Sequence, residues 1–194
     1  MTRELQVPKT VALVGLMGAG KSCIGRRLAA RLDLPFVDAD REIEEAAGCS
    51  IREIFTRHGE QAFRDGERRV MMRLLQAPPH ILATGGGAFI DPQTRDAIRA
   101  RAISVWLRAD VELLMRRVSR RNDRPLLQVE DPRKTLEELI AERYPVYAGA
   151  DVVVDSEDGP PEATLERVMA GLSGYLWRLR TSGSAGKAGG RAAS

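Results

Sequence analysis

The stretch that decides the fold of this chain is Gly15-Leu16-Met17-Gly18-Ala19-Gly20-Lys21-Ser22, which matches the phosphate-binding pattern G-x-x-x-x-G-K-[ST]. An apolar run, Val11–Val14, precedes it and predicts a buried strand, while residues 21–32 have helical spacing. Glycines let the backbone N–H groups turn inward, and the helix N-terminus adds partial positive charge. We expect Lys21 to reach the β- and γ-phosphates of a nucleotide and Ser22 to bind Mg²⁺. The alternative is a glycine turn that opens a helix and binds nothing.

Length and composition indicate one globular domain. The chain has 194 residues, of which 43% are hydrophobic and 29% charged. No apolar run is long enough to span a membrane, and the polar start lacks a signal-peptide core. Two cysteines provide no disulfide framework, so we expect a cytoplasmic protein. Residues 1–9 are predicted to be an N-terminal extension, 10–178 a single domain and 179–194 a disordered tail rich in Gly, Ala and Ser.

Short apolar runs alternate with helical stretches, which predicts an α/β fold with a five-stranded parallel sheet between layers of helices. The predicted strands are Val11–Val14, Pro35–Val37, His80–Ala83, Ile103–Leu107 and Val152–Val154. The predicted helices span residues 21–32, 41–47, 51–57, 59–76, 92–99, 110–118, 132–148 and 161–177. Asp110 and Asp131 are expected to cap two of these helices.

Two stretches interrupt the alternation. A helical insertion covers residues 41–77, and an arginine-rich segment follows the fourth strand. Ligands of open α/β sheets bind at the carboxyl ends of the strands, where such connections form the walls. We therefore expect the insertion to bind an acceptor and residues 117–131 to form a lid.

Two carboxylates, Asp38 and Asp40, follow the second strand directly. In an extended segment this spacing points both to the same side. Beside a phosphate loop, one could hold Mg²⁺ through water while the other accepts the proton of a hydroxyl group. The alternative is helix capping, with Asp40 as the N-cap of a helix from Arg41 onward.

The third strand ends in Thr84-Gly85-Gly86-Gly87. Three glycines allow the backbone to approach a small ligand closely and leave N–H groups available for it. The alternative is a flexible turn. Because this segment lies on the same side of the sheet as the phosphate loop, we favour a functional role.

The arginine-rich segment has five arginines within residues 116–124. Such a run is usually a solvated helix face. Arg124 precedes a proline that could stiffen the segment and bring a guanidinium group onto phosphate. Nucleic-acid binding is the other alternative, and we do not expect it because the segment is short and lacks interleaved aromatic residues.

Together these motifs resemble the shikimate kinase family over residues from about 10 to 176. The combination is more specific than the phosphate loop alone. It consists of Gly15–Ser22, Asp38-Ala39-Asp40, Phe63-Arg64 with Glu67, Thr84-Gly85-Gly86-Gly87, Arg124-Pro125-Leu126-Leu127 and Arg143-Tyr144-Pro145-Val146-Tyr147. The resemblance implies a P-loop kinase fold and ATP-dependent phosphorylation of the 3-hydroxyl of shikimate, a step toward chorismate and the aromatic amino acids.

The resemblance also implies a set of site residues. Shikimate would contact Asp40, Arg64, Gly85, Gly86, Gly87 and Arg143, with Arg64 and Arg143 clamping its carboxylate. The nucleotide would contact Gly18, Ala19, Gly20, Lys21, Ser22, Cys23, Arg117 and Arg124. Ser22 would bind Mg²⁺ directly and Asp38 would do so through water, while Asp40, Lys21 and Arg124 would be catalytic. None of these implied contacts requires a second copy of the chain, so we expect a monomer.

Cys23 stands where members of the family usually carry threonine, so one hydroxyl contact near the α-phosphate is expected to be lost. We expect this cysteine to be a small buried residue of its helix. Another small-molecule kinase of the same fold, such as a gluconate kinase, is the nearest alternative. A catalytically silent nucleotide-binding regulator is a third, against which the lysine, Asp40 and both clamp arginines argue.

Overall fold

The computed structural model of the protein describes residues 5–119 and 131–185. These residues form five strands and seven helices. The strands are β1 (Thr10–Val14), β2 (Phe36–Asp38), β3 (Ile81–Ala83), β4 (Ala102–Arg108) and β5 (Val152–Asp155). The helices are α1 (Lys21–Leu32), α2 (Ala39–Ala47), α3 (Ile51–Leu74), α4 (Pro92–Arg101), α5 (Val111–Val118), α6 (Pro132–Tyr147) and α7 (Pro161–Ala185).

The strands form one parallel sheet in the order β2-β3-β1-β4-β5. Strand β1 lies at its centre and is wholly buried, as expected of a strand covered by helices on both faces. It pairs with β3 on one side and with β4 on the other. The chain order changes direction beside β1, so a crevice forms at its carboxyl end.

Two glycines shape the segments that surround this crevice. Gly15, directly after β1, has φ 133°, and a methyl group added to it would lie 2.7 Å from the carbonyl oxygen of Leu107. Gly59 has φ 80° and breaks α3 into two helical parts. Only glycine adopts such φ values without strain. Gly15 therefore lets the phosphate loop turn tightly against β4, and Gly59 reorients the second half of α3.

Most of the predicted secondary structure is confirmed. Each predicted strand agrees with an observed one to within one residue at either end. Asp110 accepts a hydrogen bond from the backbone of Leu113, and Asp131 accepts one from that of Lys134, so both cap helices. The break between the predicted helices 51–57 and 59–76 occurs at Gly59. Among the described residues, no helix has the length and apolar character needed to cross a membrane.

The predicted start of the disordered tail at residue 179 is wrong, because α7 continues to Ala185. The Thr181 hydroxyl donates to the carbonyls of Trp177 and Arg178 within this extension. Adding residues to an existing helix costs little, since each new residue brings one backbone hydrogen bond. Residues 1–4 and 186–194 lie outside the described ranges, as do residues 120–130 of the predicted lid.

Candidate active site

The phosphate loop holds its lysine through its own backbone. Lys21 Nζ donates to the carbonyls of Gly15, at 2.7 Å, and Leu16, at 3.0 Å. Helix α1 begins at this lysine, and Gly20 precedes it with φ 99° and no side-chain cap. The first N–H groups of a helix have no intrahelical partners and carry partial positive charge. A lysine and a helix N-terminus thus meet at one point of the crevice, which favours an anion there.

Asp38 connects the second strand to the phosphate loop. Its Oδ2 accepts a hydrogen bond from Ser22 Oγ at 2.7 Å, and its Oδ1 accepts one from the backbone N–H of Asp40 at 3.2 Å. Asp38 is the N-cap of α2, so Asp40 lies in the first helical turn. The alternative that made Asp40 the N-cap is wrong, and the two carboxylates do not share an extended segment. The strand extends to Asp38, and the helix begins two residues earlier than predicted.

Ser22 and Asp38 present oxygen atoms that fit Mg²⁺. Magnesium prefers oxygen ligands and usually takes only one or two from the protein, because phosphate oxygens and water complete its octahedral shell. Within the described ranges no group of three or more His, Cys, Asp or Glu residues could form a metal cage. The hydroxyl and the carboxylate already lie 2.7 Å apart beside the lysine.

Helix α3 presents an arginine that is paired with a buried carboxylate. Arg64 Nη1 donates to Glu67 Oε2 at 2.9 Å, and its Nε and Nη2 donate to Glu60 Oε1. Glu67 is only 3% exposed, and burial raises its pKa above the ordinary 4.5 although Arg64 opposes this shift. Its Oε1 is buried and accepts no hydrogen bond from the described residues. Arg64 therefore keeps its charge beside a carboxylate that loses its hydration.

The triple glycine loop lies against these charged groups. A methyl group added to Gly85 would lie 2.6 Å from Glu67 Oε1 and 3.0 Å from Asp40 Oδ1. One added to Gly87 would clash with Arg64 Nη1. Side chains at these positions would displace the charged groups, so the glycines allow the backbone to approach them. The carboxylates of Glu67 and Asp40 and the guanidinium group of Arg64 thus lie around this loop at the carboxyl end of β3.

Helix α6 reaches the same loop from another direction. Arg143 is 8% exposed, and its Nη1 donates to the carbonyl of Gly86 at 3.3 Å. Its buried Nε makes no hydrogen bond to the described residues, and Glu142 Oε1 lies 3.9 Å from it. The hydroxyl of Tyr147, one helical turn further on, also donates to the Gly86 carbonyl. Arg143 therefore retains donor capacity next to the loop.

Arg117 lies on the opposite side of the phosphate loop. Its Nη1 is 3.3 Å from the carbonyls of Gly18 and Ala19 and 2.9 Å from Ser156 Oγ, and its Nη2 donates to the carbonyl of Glu157. Burial lowers the pKa of this guanidinium group. The predicted position beside a nucleotide is consistent with these contacts, because the arginine bridges the phosphate loop and the segment after β5.

One cavity of about 430 Å³ joins these parts. Its wall includes residues at both ends of the crevice, namely Gly18, Gly20, Lys21, Ser22, Cys23, Asp38, Asp40, Thr84, Gly86, Arg116, Arg117, Ser156, Asp158, Gly159, Pro161 and Thr164. Arg64 and Arg143 are not in the wall, but both lie against the glycine loop, whose Gly86 is part of the wall. Arg124 lies outside the described residues.

Cys23 differs from its prediction. It is exposed and forms part of the cavity wall, and its Sγ accepts a hydrogen bond from Arg27 Nη1 at 3.1 Å. The buried face of α1 runs through Ile24, Gly25, Leu28 and Ala29 instead. A thiol therefore faces the cavity directly after Ser22.

Sequence reasoning assigned no role to three residues that shape the site. Glu67 pairs with Arg64, Tyr147 shares the Gly86 carbonyl with Arg143, and Ser156 accepts a hydrogen bond from Arg117. The first two could have been found from helical spacing, because residues three or four apart on a helix are neighbours. Ser156 lies in a loop, where no such periodicity exists.

Comparison with known proteins identifies one family. A family model described as "Shikimate kinase" matches residues 17–173. The chain is 60% identical over 171 residues to a shikimate kinase of Paramagnetospirillum magneticum, covering 88% of each sequence. It is also 60% identical over 164 residues to one of Caulobacter vibrioides, covering 84% of this chain and 82% of the relative.

Solved structures agree with these sequence matches. A shikimate kinase from Acinetobacter baumannii, solved in complex with shikimate, superposes with a TM-score of 0.81 at 38% identity, covering 83% of this chain and 90% of that one. A gluconokinase from Sinorhizobium meliloti superposes with a TM-score of 0.65 at 17% identity, covering 92% of this chain and 99% of that one. The second likeness shows a shared fold alone.

Proposed function

The chain belongs to the shikimate kinase family, and we propose that it transfers the γ-phosphoryl group of ATP to the 3-hydroxyl of shikimate at the cavity described above. The observation that carries this proposal is the continuity of that cavity, whose wall includes Lys21 at one end and Asp40 and Gly86 at the other. Phosphoryl transfer needs the donor phosphate and the acceptor hydroxyl in line and close together. A single cavity with both sets of groups supports that arrangement.

At the acceptor end, Arg64 and Arg143 bind the carboxylate of shikimate. Guanidinium groups suit this role because they donate paired hydrogen bonds to a carboxylate. The glycine loop lies between these two arginines, and Asp40 Oδ1 lies beside Gly85. In this proposal the ring hydroxyls lie between the arginines and Asp40.

In the reaction, the 3-hydroxyl oxygen attacks the γ-phosphorus while the bond to the bridging oxygen of ADP breaks. Asp40 accepts the hydroxyl proton, and Lys21 and the loop N–H groups neutralise charge on the phosphate oxygens. Ser22 would hold Mg²⁺ directly and Asp38 through water, and bound Mg²⁺ would neutralise the triphosphate. Arg124, outside the described residues, is proposed to reach the phosphates, and Gly18, Ala19, Gly20, Cys23 and Arg117 to contact the nucleotide. Because the groups named come from one chain, the site needs no second copy.

The test is an acceptor-dependent assay of the purified protein with ATP and Mg²⁺. Shikimate should cause ADP release and yield 3-phosphoshikimate, whereas gluconate should not, because an acyclic acid does not fit groups arranged around a ring. Asp40→Asn keeps the shape but cannot accept the proton, so kcat should fall about 100-fold or more. Absence of shikimate-dependent ADP release, from folded protein that binds ATP, would contradict the proposal.

A further inference from the structure

The carbonyl groups of the triple glycine loop are satisfied in two different ways. The Gly85 carbonyl accepts a hydrogen bond from the backbone of Ala88 at 3.3 Å, and the Gly87 carbonyl accepts one from that of Ile90 at 3.0 Å. The Gly86 carbonyl is held instead by two side chains of α6. The orientation of this peptide group therefore depends on α6 rather than on a turn of the loop itself.

The two donors from α6 are Arg143 and Tyr147. Arg143 Nη1 lies 3.3 Å from the Gly86 oxygen, a long hydrogen bond. Tyr147 is fully buried and its hydroxyl donates to the same oxygen. Burial raises the pKa of Tyr147, so this hydroxyl keeps the proton that it donates. Tyr147 thus makes the stronger hydrogen bond of the two to the Gly86 carbonyl.

A carboxylate bound by Arg143 competes with the loop for the donors of this guanidinium group. The proposed function assigns Arg143 to the carboxylate of shikimate, and the present inference rests on that assignment. When Arg143 turns toward a carboxylate, its bond to Gly86 weakens, and a part-buried carbonyl that loses a donor is destabilised. Glycine also rotates freely, so the peptide between Gly86 and Gly87 needs an external partner to keep one orientation.

We propose that Tyr147 is a positioning residue of the acceptor site, whose hydroxyl holds the Gly86 carbonyl and leaves Arg143 available for the carboxylate of the acceptor. A planar trans peptide directs the N–H of Gly87 opposite to the Gly86 carbonyl. Holding that carbonyl toward α6 therefore also sets the direction of the Gly87 N–H. Tyr147 itself touches no reacting atom in this arrangement.

The chain provides a matched control, Tyr144, on the same helix. Its hydroxyl also donates to a backbone carbonyl, that of Ala109, and its ring also packs on Trp106. Substitution of either tyrosine by phenylalanine removes one hydroxyl and keeps the ring. Only the change at Tyr147 touches the glycine loop.

The kinetic experiment compares Tyr147→Phe with Tyr144→Phe in the full chain. Tyr147→Phe should raise the KM for shikimate about tenfold, as expected for the loss of one hydrogen bond, with kcat and the KM for ATP changing much less. Tyr144→Phe should leave the KM for shikimate unchanged. A merely structural role would instead lower kcat or stability in both variants. An unchanged KM for shikimate in Tyr147→Phe overturns the proposal.

A second measurement does not depend on the substrate. The carbonyl-carbon NMR resonance of Gly86 in the ligand-free protein should shift in Tyr147→Phe and not in Tyr144→Phe, because a lost hydrogen bond changes the shielding of its acceptor. If that resonance does not move, the proposal fails. If the wild-type protein does not phosphorylate shikimate, the proposed function fails, and the resonance still decides whether Tyr147 holds Gly86.

Discussion

The two ends of the cavity are built in opposite ways. At the phosphate end, Lys21 bonds to the carbonyls of Gly15 and Leu16, so these two contacts stay within the eight residues of one loop. At the acceptor end, Arg143 bonds to Gly86 across 57 positions of sequence. The first end is a local motif, and the second is an assembly of distant segments.

This difference predicts how each end responds to substitution. A local loop keeps its shape largely from its own backbone, so loss of a side chain at the acceptor end should leave phosphate binding intact. The acceptor end depends on helices α3 and α6 meeting at the loop after β3. Loss of one side chain there should weaken acceptor binding selectively, which provides a way to test the separation of the two ends.

The largest expected effect is at Arg64. Arg64→Ala should raise the KM for shikimate about 100-fold. The variant lacks one of the two guanidinium groups proposed to bind the carboxylate of shikimate, and removing one partner of a hydrogen-bonded ion pair costs several kcal/mol. ATP affinity, measured by calorimetry, should not change. Arg68→Ala is the matched control, because Arg68 lies on the same helix and pairs with Asp65 and Asp91 instead.

Arg64→Ala also leaves Glu67 without its cationic partner and could destabilise α3. Circular dichroism and thermal unfolding should therefore accompany the kinetics. Arg143→Ala provides a second route to the same result, since it removes the other arginine without exposing that carboxylate. Equal losses of shikimate and ATP binding in both variants would show that the two ends are not separate.

A smaller effect, on the KM for ATP instead of the KM for shikimate, is expected at the phosphate end. Arg117→Ala removes contacts to Gly18, Ala19 and the segment after β5, so the KM for ATP should rise about tenfold. The KM for shikimate should stay unchanged. Arg167→Ala is the control, because Arg167 contacts the same segment at Asp155 and Glu157 from an exposed position. A parallel rise in both KM values would contradict the comparison.

The sequence predicted the strand and the helix on either side of the phosphate loop well, because the information for them is local. The positions of a glycine loop, its lysine and the following helix are all set within about twenty residues. The same is true of the caps at Asp110 and Asp131, each of which bonds to a backbone N–H three residues later. Such contacts depend on spacing along the chain, which can be read directly.

The wrong predictions concern features that depend on tertiary structure rather than on local sequence. The cap of α2 is Asp38 rather than Asp40, because β2 extends one residue further and the helix starts immediately after it. Cys23 is exposed because the sheet covers a different face of α1. Helical spacing brings Glu67 near Arg64 and Tyr147 near Arg143, but no local pattern encodes that the glycine loop lies against both α3 and α6.

The smallest expected effect concerns Glu67 and sharpens the comparison at its acceptor end. Burial raises the pKa of this carboxyl above its ordinary 4.5, so the folded state binds its proton more tightly than the unfolded chain does. Its contribution to stability is fully present below pH 4.5 and is lost as the pH rises through the folded-state pKa. Glu67→Gln cannot titrate and should lack that loss. The free energy of unfolding of the variant, relative to wild type, should therefore increase as the pH rises above 4.5.

Denaturant unfolding across this pH range measures the difference between the two proteins. Glu60→Gln is the control, because it removes a carboxylate from the same guanidinium group at a position whose side chain is 63% exposed. Water screens an exposed pair, so its loss should change stability little. Parallel curves for Glu67→Gln and wild type would mean that Glu67 does not pay a desolvation cost. Arg64 would then be held by an ion pair without a buried partner. The two ends of the cavity would differ only in where the groups that hold Arg64 and Lys21 lie along the chain.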